Sequence, residues 1–158
     1  MIKVLVVEDS RVMQEYLLYV LQNDPELKVI GVADSGEAAL EFLGRERPDV
    51  VLMDIHMPGI DGFETTRQIM ATDPLPIVVC TASMHFSELH TVMLALEAGA
   101  VAALRKPKGL TDPDAEAEIA AIISTLKLMS EVKVVRRWNQ PVAKQAPKWL
   151  APELQLEV

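Results

Sequence analysis

Three carboxylates stand at the ends of two apolar runs. Val4-Leu5-Val6-Val7 ends in Glu8-Asp9, and Val50-Val51-Leu52-Met53 ends in Asp54. A third run, Ile77-Val78-Val79-Cys80, ends in Thr81 followed by the small residues Ala82 and Ser83; a fourth, Val101–Leu104, leads into Lys106-Pro107. Continuous apolar runs suit strands of a parallel sheet buried on both faces. The carboxyl edge of such a sheet is where open α/β folds bind ligands. Two unit charges about 4 Å apart repel by roughly 4 kcal/mol at an effective dielectric near 20. A cation is therefore expected among the acids, and hard oxygen donors favour Mg²⁺. With a hydroxyl and an ammonium alongside, the parts suit phosphoryl transfer to a carboxylate.

Strand and helix signals that alternate over the first ~125 residues predict the elements that position these groups. Strands are expected at Lys3–Val7, Lys28–Ala33, Val50–Met53, Ile77–Cys80 and Val101–Leu104. The first helix takes Ser10 as N-cap, shows Met13, Leu17, Val20 and Leu21 on one face, and ends at Asn23-Asp24-Pro25. Ser35 opens a second, with Ala38, Ala39, Phe42 and Leu43 inward, closed by Arg47-Pro48. A third runs from Phe63 to Ala71 after the loop His56–Gly62, and a fourth from Ser87 to Glu97 with Gly99 as its C-terminal cap. For the fifth, Asp112 reads as N-cap with Pro113 in the first turn, and Ile119, Ile122, Ile123, Leu126 and Met129 form the core stripe. The pattern predicts an α/β doubly wound fold of flavodoxin type, (βα)5, with a five-stranded parallel sheet in the order 2-1-3-4-5.

The 158 residues are half hydrophobic, enough for one substantial core, and carry a net charge of −8. Residues 1–126 hold nine Lys/Arg against twenty Asp/Glu; residues 127–158 hold six against three. The acidic body argues against nucleic-acid binding, and the scattered basic residues of the tail read as a solvated linker. Cys80, the single cysteine, reads as core packing and fits a reducing compartment. No apolar stretch approaches the ~18 residues of a membrane span, and Met1-Ile2-Lys3 lacks a signal-peptide layout, so a cytoplasmic location is expected. From Arg136 onward Pro141, Pro147 and Pro152 interrupt the chain. The expected division is a body over 1–129, a linker over 130–153, and at 154–158 the first strand of a further domain, since Leu154-Gln155-Leu156-Glu157-Val158 alternates apolar and polar. Whether Lys133–Trp138 continues the fifth helix or forms a strand is open.

Over residues 1 to about 128 the chain resembles the receiver domain of two-component response regulators. Glu8-Asp9, Asp54 followed by Met57-Pro58-Gly59 and Asp61-Gly62, Thr81-Ala82, Ala98-Gly99-Ala100 and Lys106-Pro107 carry the resemblance, in order and at receiver spacing. It implies that Asp54 is the nucleophile that takes a phosphoryl group from a histidine kinase's phosphohistidine. It implies Mg²⁺ held by Asp9, Asp54, the backbone carbonyl of His56 and, partly through water, Glu8. Lys106 is then expected to pair with the phosphoryl oxygens, Pro107 to fix the adjoining peptide as a cis bond, and Thr81 to bond a phosphoryl oxygen and carry the switch. Ala82 leaves room for the group, while His56 and Ser83 match positions that tune phosphate loss. His85 and His90 lack a paired carboxylate motif and are not expected to bind metal.

One position departs from the family pattern. Receivers usually carry Tyr or Phe three residues before the lysine, where this chain has Ala103, so an altered conformational readout is expected. The segment Thr125–Trp138 resembles the junction in CheB-type chemotaxis methylesterases, which join a receiver to a protein-glutamate methylesterase domain. That likeness implies a CheA-like kinase as donor and a C-terminal effector as partner. No Ser-His-Asp set is recognisable, so these residues are not expected to hydrolyse esters themselves. A stand-alone CheY-like receiver that signals by protein binding is the alternative. An aspartyl-nucleophile phosphohydrolase is a remote one, because it wants a second Asp where His56 stands. Trp138 and Trp149 are candidate anchors to the further domain or to a second copy in a homodimer.

Overall fold

A computed structural model describes residues 1–82, 88–109 and 111–136. Five parallel strands, β1 (Ile2–Val7), β2 (Leu27–Ala33), β3 (Val50–Asp54), β4 (Ile77–Thr81) and β5 (Ala102–Arg105), form one sheet in the order β2-β1-β3-β4-β5. The helices between and after them are α1 (Arg11–Gln22), α2 (Gly36–Leu43), α3 (Gly62–Thr72), α4 (Glu88–Ala98) and α5 (Ala115–Met129). The fold class and strand order are those expected from the sequence. The order reverses between β1 and β3, the topological switch point of such sheets.

The continuous apolar runs are explained by two cores on opposite faces. Leu5, Val7, Val51, Met53 and Val79 share one with Ala39 of α2, Ile69 and Met70 of α3 and Ala95 of α4. Their neighbours Val4, Val6, Val50, Leu52, Val78 and Cys80 share the other with Leu17, Val20 and Leu21 of α1 and Ile122 and Leu126 of α5. Successive strand residues point to opposite faces, so a sheet covered on both sides needs apolar residues at every position.

The helix signals hold at most ends. Ser10 and Ser35 accept from the amides of Met13 and Ala38, and Asp61 accepts from Glu64, each as an N-cap. Gly99 follows α4 at φ +116, where only glycine is unstrained. Asp112 is a correction. Its carboxylate accepts from the amide of Asp114, only two residues on, and α5 starts at Ala115 with Asp114 as cap residue. The side chain closes an Asx turn that ends before the helix, the competing local bond available to any Asp ahead of a helix. After α5 the chain is neither helix nor strand over 132–136. The proposed strand at 154–158, Trp138, Trp149, Ser83, His85 and the start assigned to helix four at Ser87 lie outside the described residues.

Gly62 connects the fold to the edge of the sheet. Its amide donates to Ile55 O, and a Cβ built on it falls 2.1 Å from the carbonyl oxygen of Asp54 and 2.8 Å from Ile55 Cα. Both obstacles are backbone, so the clash has no cheap relief. Gly62→Ala is expected to destabilise the protein by about 2 kcal/mol, within the usual cost of overpacking, as read by urea denaturation. A loss under about 0.5 kcal/mol would show that α3 can lift off the strand end freely.

Candidate functional site

The strand ends bring the predicted residues to one edge. Glu8 follows β1, Asp54 ends β3, Thr81 ends β4 and Lys106 follows β5. The amide of Lys106 donates to Thr81 O, which continues the β4–β5 ladder one residue past the strand and sets the lysine over the site. Its ammonium lies 2.6 Å from Glu8 Oε1 and 3.2 Å from Asp54 Oδ1. Glu8 is 1% exposed, Asp54 5% and Thr81 fully buried, whereas Asp9 is exposed.

Backbone and side-chain donors hold the acids in place. Glu8 Oε2 accepts from the amide of Ser10, and Asp54 Oδ1 accepts from the amide of Ile55. Gln14 Nε2 donates to the carbonyl of Glu8 at 2.6 Å, which ties the strand end to the first turn of α1. Sequence reasoning missed Gln14, because nothing in its local pattern distinguishes it from an ordinary polar helix residue. It also missed Glu37 of α2, whose carboxylate accepts from Ile60 N in the loop after β3 and lies where a Cβ on Gly59 would sit. Gly59 meets the need with φ +82. The expectation of a cis bond at Pro107 is corrected: the Lys106–Pro107 peptide is trans. The isomer at a proline is decided by the tertiary surroundings, which here hold Lys106 on the extended β5 path. Pro107 itself is buried.

Electrostatics at the edge are unbalanced. Burial pushes the Asp54 carboxyl up to about 7, with Lys106 opposing the rise and Glu8 adding to it. Burial alone would lower Lys106, but the Glu8 and Asp54 carboxylates prevail and hold its ammonium above the ordinary lysine value. Lys106 thus pairs with two of three clustered carboxylates, since Glu8, Asp9 and Asp54 each offer an oxygen within 4.8 Å of the others. An all-carboxylate oxygen set at that spacing fits a hard divalent ion such as Mg²⁺. His56 is exposed two residues beyond Asp54, and Ala82 is exposed beside Thr81. Cys80, next to the site, has its thiol pushed up to about 12 by burial and packs as core. Among the described residues no helix is long and apolar enough to cross a membrane.

The fold and this edge are those of a known family. The response regulator receiver domain profile matches residues 4–116, and the chain belongs to that family. Within it the likeness is to receivers of the CheB type. The response regulator domain of Thermotoga maritima CheB superposes with a TM-score of 0.75 at 30% identity, covering 84% of this chain and 98% of that one. A protein-glutamate methylesterase/protein-glutamine glutaminase of Nitrosospira multiformis is 51% identical over 138 residues, which are 87% of this chain but 39% of the relative. A counterpart in Syntrophus aciditrophicus is 47% identical over 93% of this chain and 42% of its own length. The chain therefore spans about two-fifths of the curated relatives it matches.

A raised carboxylate pKa is a stability statement. Asp54 contributes fully to stability below its unfolded value of 3.8, and that contribution is lost as pH rises towards about 7. Asp54→Asn removes the loss, so without divalent ions at pH 8 the variant is expected to exceed wild type by about 1–2 kcal/mol. Thermal melts in EDTA and in MgCl2 check it. Mg²⁺ is expected to raise the wild-type midpoint and to leave the variant nearly unmoved.

Proposed function

We propose that this chain is the phosphoacceptor module of a chemotaxis regulator, in which Asp54 takes a phosphoryl group from the phosphohistidine of a CheA-like kinase. One observation carries the reading: a nearly buried Asp54 at the sheet edge shares a 4.8 Å cluster with two other carboxylates, and a lysine ammonium stands 3.2 Å away. In the step, a carboxylate oxygen of Asp54 forms a bond to phosphorus as the P–N bond of the donor breaks. The leaving nitrogen keeps the electron pair and takes up a proton. Asp9, Asp54, Glu8 and the backbone carbonyl of His56 are the groups assigned to Mg²⁺, which when bound neutralises charge on the transferring group.

The chain's own residues supply the rest. Lys106 exchanges its contact with Asp54 for a phosphoryl oxygen while Glu8 keeps it charged and aimed. Thr81, one ladder step from Lys106, offers its hydroxyl to another oxygen and carries the switch. A kinase partner is supported by a related complex, the P1 domain of a CheA with a CheY receiver from R. sphaeroides, whose likeness to this chain has a TM-score of 0.65 at 28% identity. The methylesterase relatives, with the further length they carry, support a C-terminal methylesterase effector under the receiver's control. A phosphohydrolase would need an acid at the position of His56, and finds none there.

Ala103 is half-buried against the core on the α2–α4 face, where the family's aromatic switch residue has no counterpart. The signal to α4 and β5 is therefore carried by other side chains. Incubation with a small acyl phosphate and Mg²⁺ is expected to give a single phosphoryl adduct by intact mass, absent in Asp54→Asn. An adduct that survives the substitution would refute the assignment. Amide chemical shifts of 101–104 are expected to move little on phosphorylation; a large local change would restore an aromatic-type switch.

A further inference from the structure

The chain does not leave the domain where α5 ends. After Met129 it turns, with Ser130 N donating to Leu126 O and Val132 N to Met129 O, and runs back along the amino edge of the sheet, opposite the carboxylates. There it borders a groove of about 330 Å³ whose other side is made by Arg47, Pro48, Leu75 and Pro76, the residues that lead into β3 and β4. Val134 packs against the core cluster of the α2–α4 face, while its neighbour Val135 is 78% exposed. Arg136 Nε donates to the carbonyl of Ala71 at 2.7 Å, a bond between residues 65 apart in sequence.

That last contact fills a gap in α3. The helix has no basic residue in its last turn, and Ala71 is one of the final residues, whose carbonyls have no partner within the helix. A guanidinium from elsewhere satisfies the carbonyl and complements the negative end of the dipole. Arg47 braces the same corner, pairing with Asp73 and donating to Pro74 O. Alternation of one inward and one outward valine, followed by an arginine on a helix end, is a seated conformation and not that of a solvated tether.

We propose that residues 131–136 are a strap that belongs to the receiver, with Val134 as its apolar plug and Arg136 as its latch on the end of α3. The strap moves the point where the chain departs from the end of α5 to the end of α3, the helix whose first residue rests on the backbone of Asp54. Whatever follows Arg136 therefore starts from a defined place at the sheet's amino edge. This holds independently of what Asp54 accepts.

The test uses the full 158-residue chain with Val134→Asp, Val135→Asp and Arg136→Ala, read by thermal melting and by cleavage of the 131–136 segment with a low-specificity protease. Val134→Asp is expected to lower the melting midpoint by about 4 °C, the shift for roughly 1 kcal/mol in a domain of this size. It is also expected to speed cleavage of the segment tenfold or more. Arg136→Ala should speed cleavage with a smaller change in midpoint, and Val135→Asp should match wild type in both. Equal behaviour of the two valine variants would overturn the strap. So would wild-type cleavage as fast as that of the same segment in a free peptide.

Discussion

The ammonium of Lys106 is the interaction on which the functional edge depends. It reaches two carboxylates, Glu8 and Asp54, that the fold has taken almost wholly out of water. Removing one partner of a buried pair typically costs 3–5 kcal/mol, because a charge is left uncompensated. Here, among the described residues, Lys106 is paired with two of the three acids that cluster at the edge. The edge is thus held short of positive charge. Burial holds the Asp54 carboxyl far above its ordinary value, with Glu8 adding to the rise and Lys106 opposing it.

The rest of the structure serves to keep these groups from relaxing apart. Each comes from a strand end, and each strand is clamped between two apolar cores, so its end has no freedom to slide. The β4–β5 ladder continues one residue past its strand to hold Lys106, and Gly62 lets α3 approach to within contact of the Asp54 backbone. Gln14 and Glu37 secure the two loops that flank the acids. Stability and site geometry are therefore not separate properties here. The same tight contacts that order the sheet also force three carboxylates together.

The opposite edge of the sheet has its own organisation. Arg136 and Arg47 bind the end of α3, and Val134 closes the core beneath it. The receiver's two edges are thus joined by α3, seated on Asp54 at one end and bound by the segment after α5 at the other. Among the described residues this helix touches both the backbone of Asp54 and the segment that follows α5.

Much of this was legible in the residues alone. Unbroken apolar runs ending in acids, a threonine and a lysine predicted a doubly covered parallel sheet and placed the polar residues at one edge, because buried strands and their ends have composition rules that need no long-range information. Helix starts at Ser10 and Ser35 followed from capping chemistry within three residues. Asp112 failed for the same local reason, since an Asx turn and an N-cap use the same side chain and differ only in where the helix begins. The isomer at Pro107, the support from Gln14 and Glu37, the charge imbalance around Lys106 and the path of Val134 and Arg136 were decided by tertiary structure. Each depends on groups distant in sequence meeting in space, such as Arg136 and Ala71. The sequence determined which chemistry was available and on which edge; only the packed sheet decided how closely the charges are forced together, because burial and distance are properties of the whole fold.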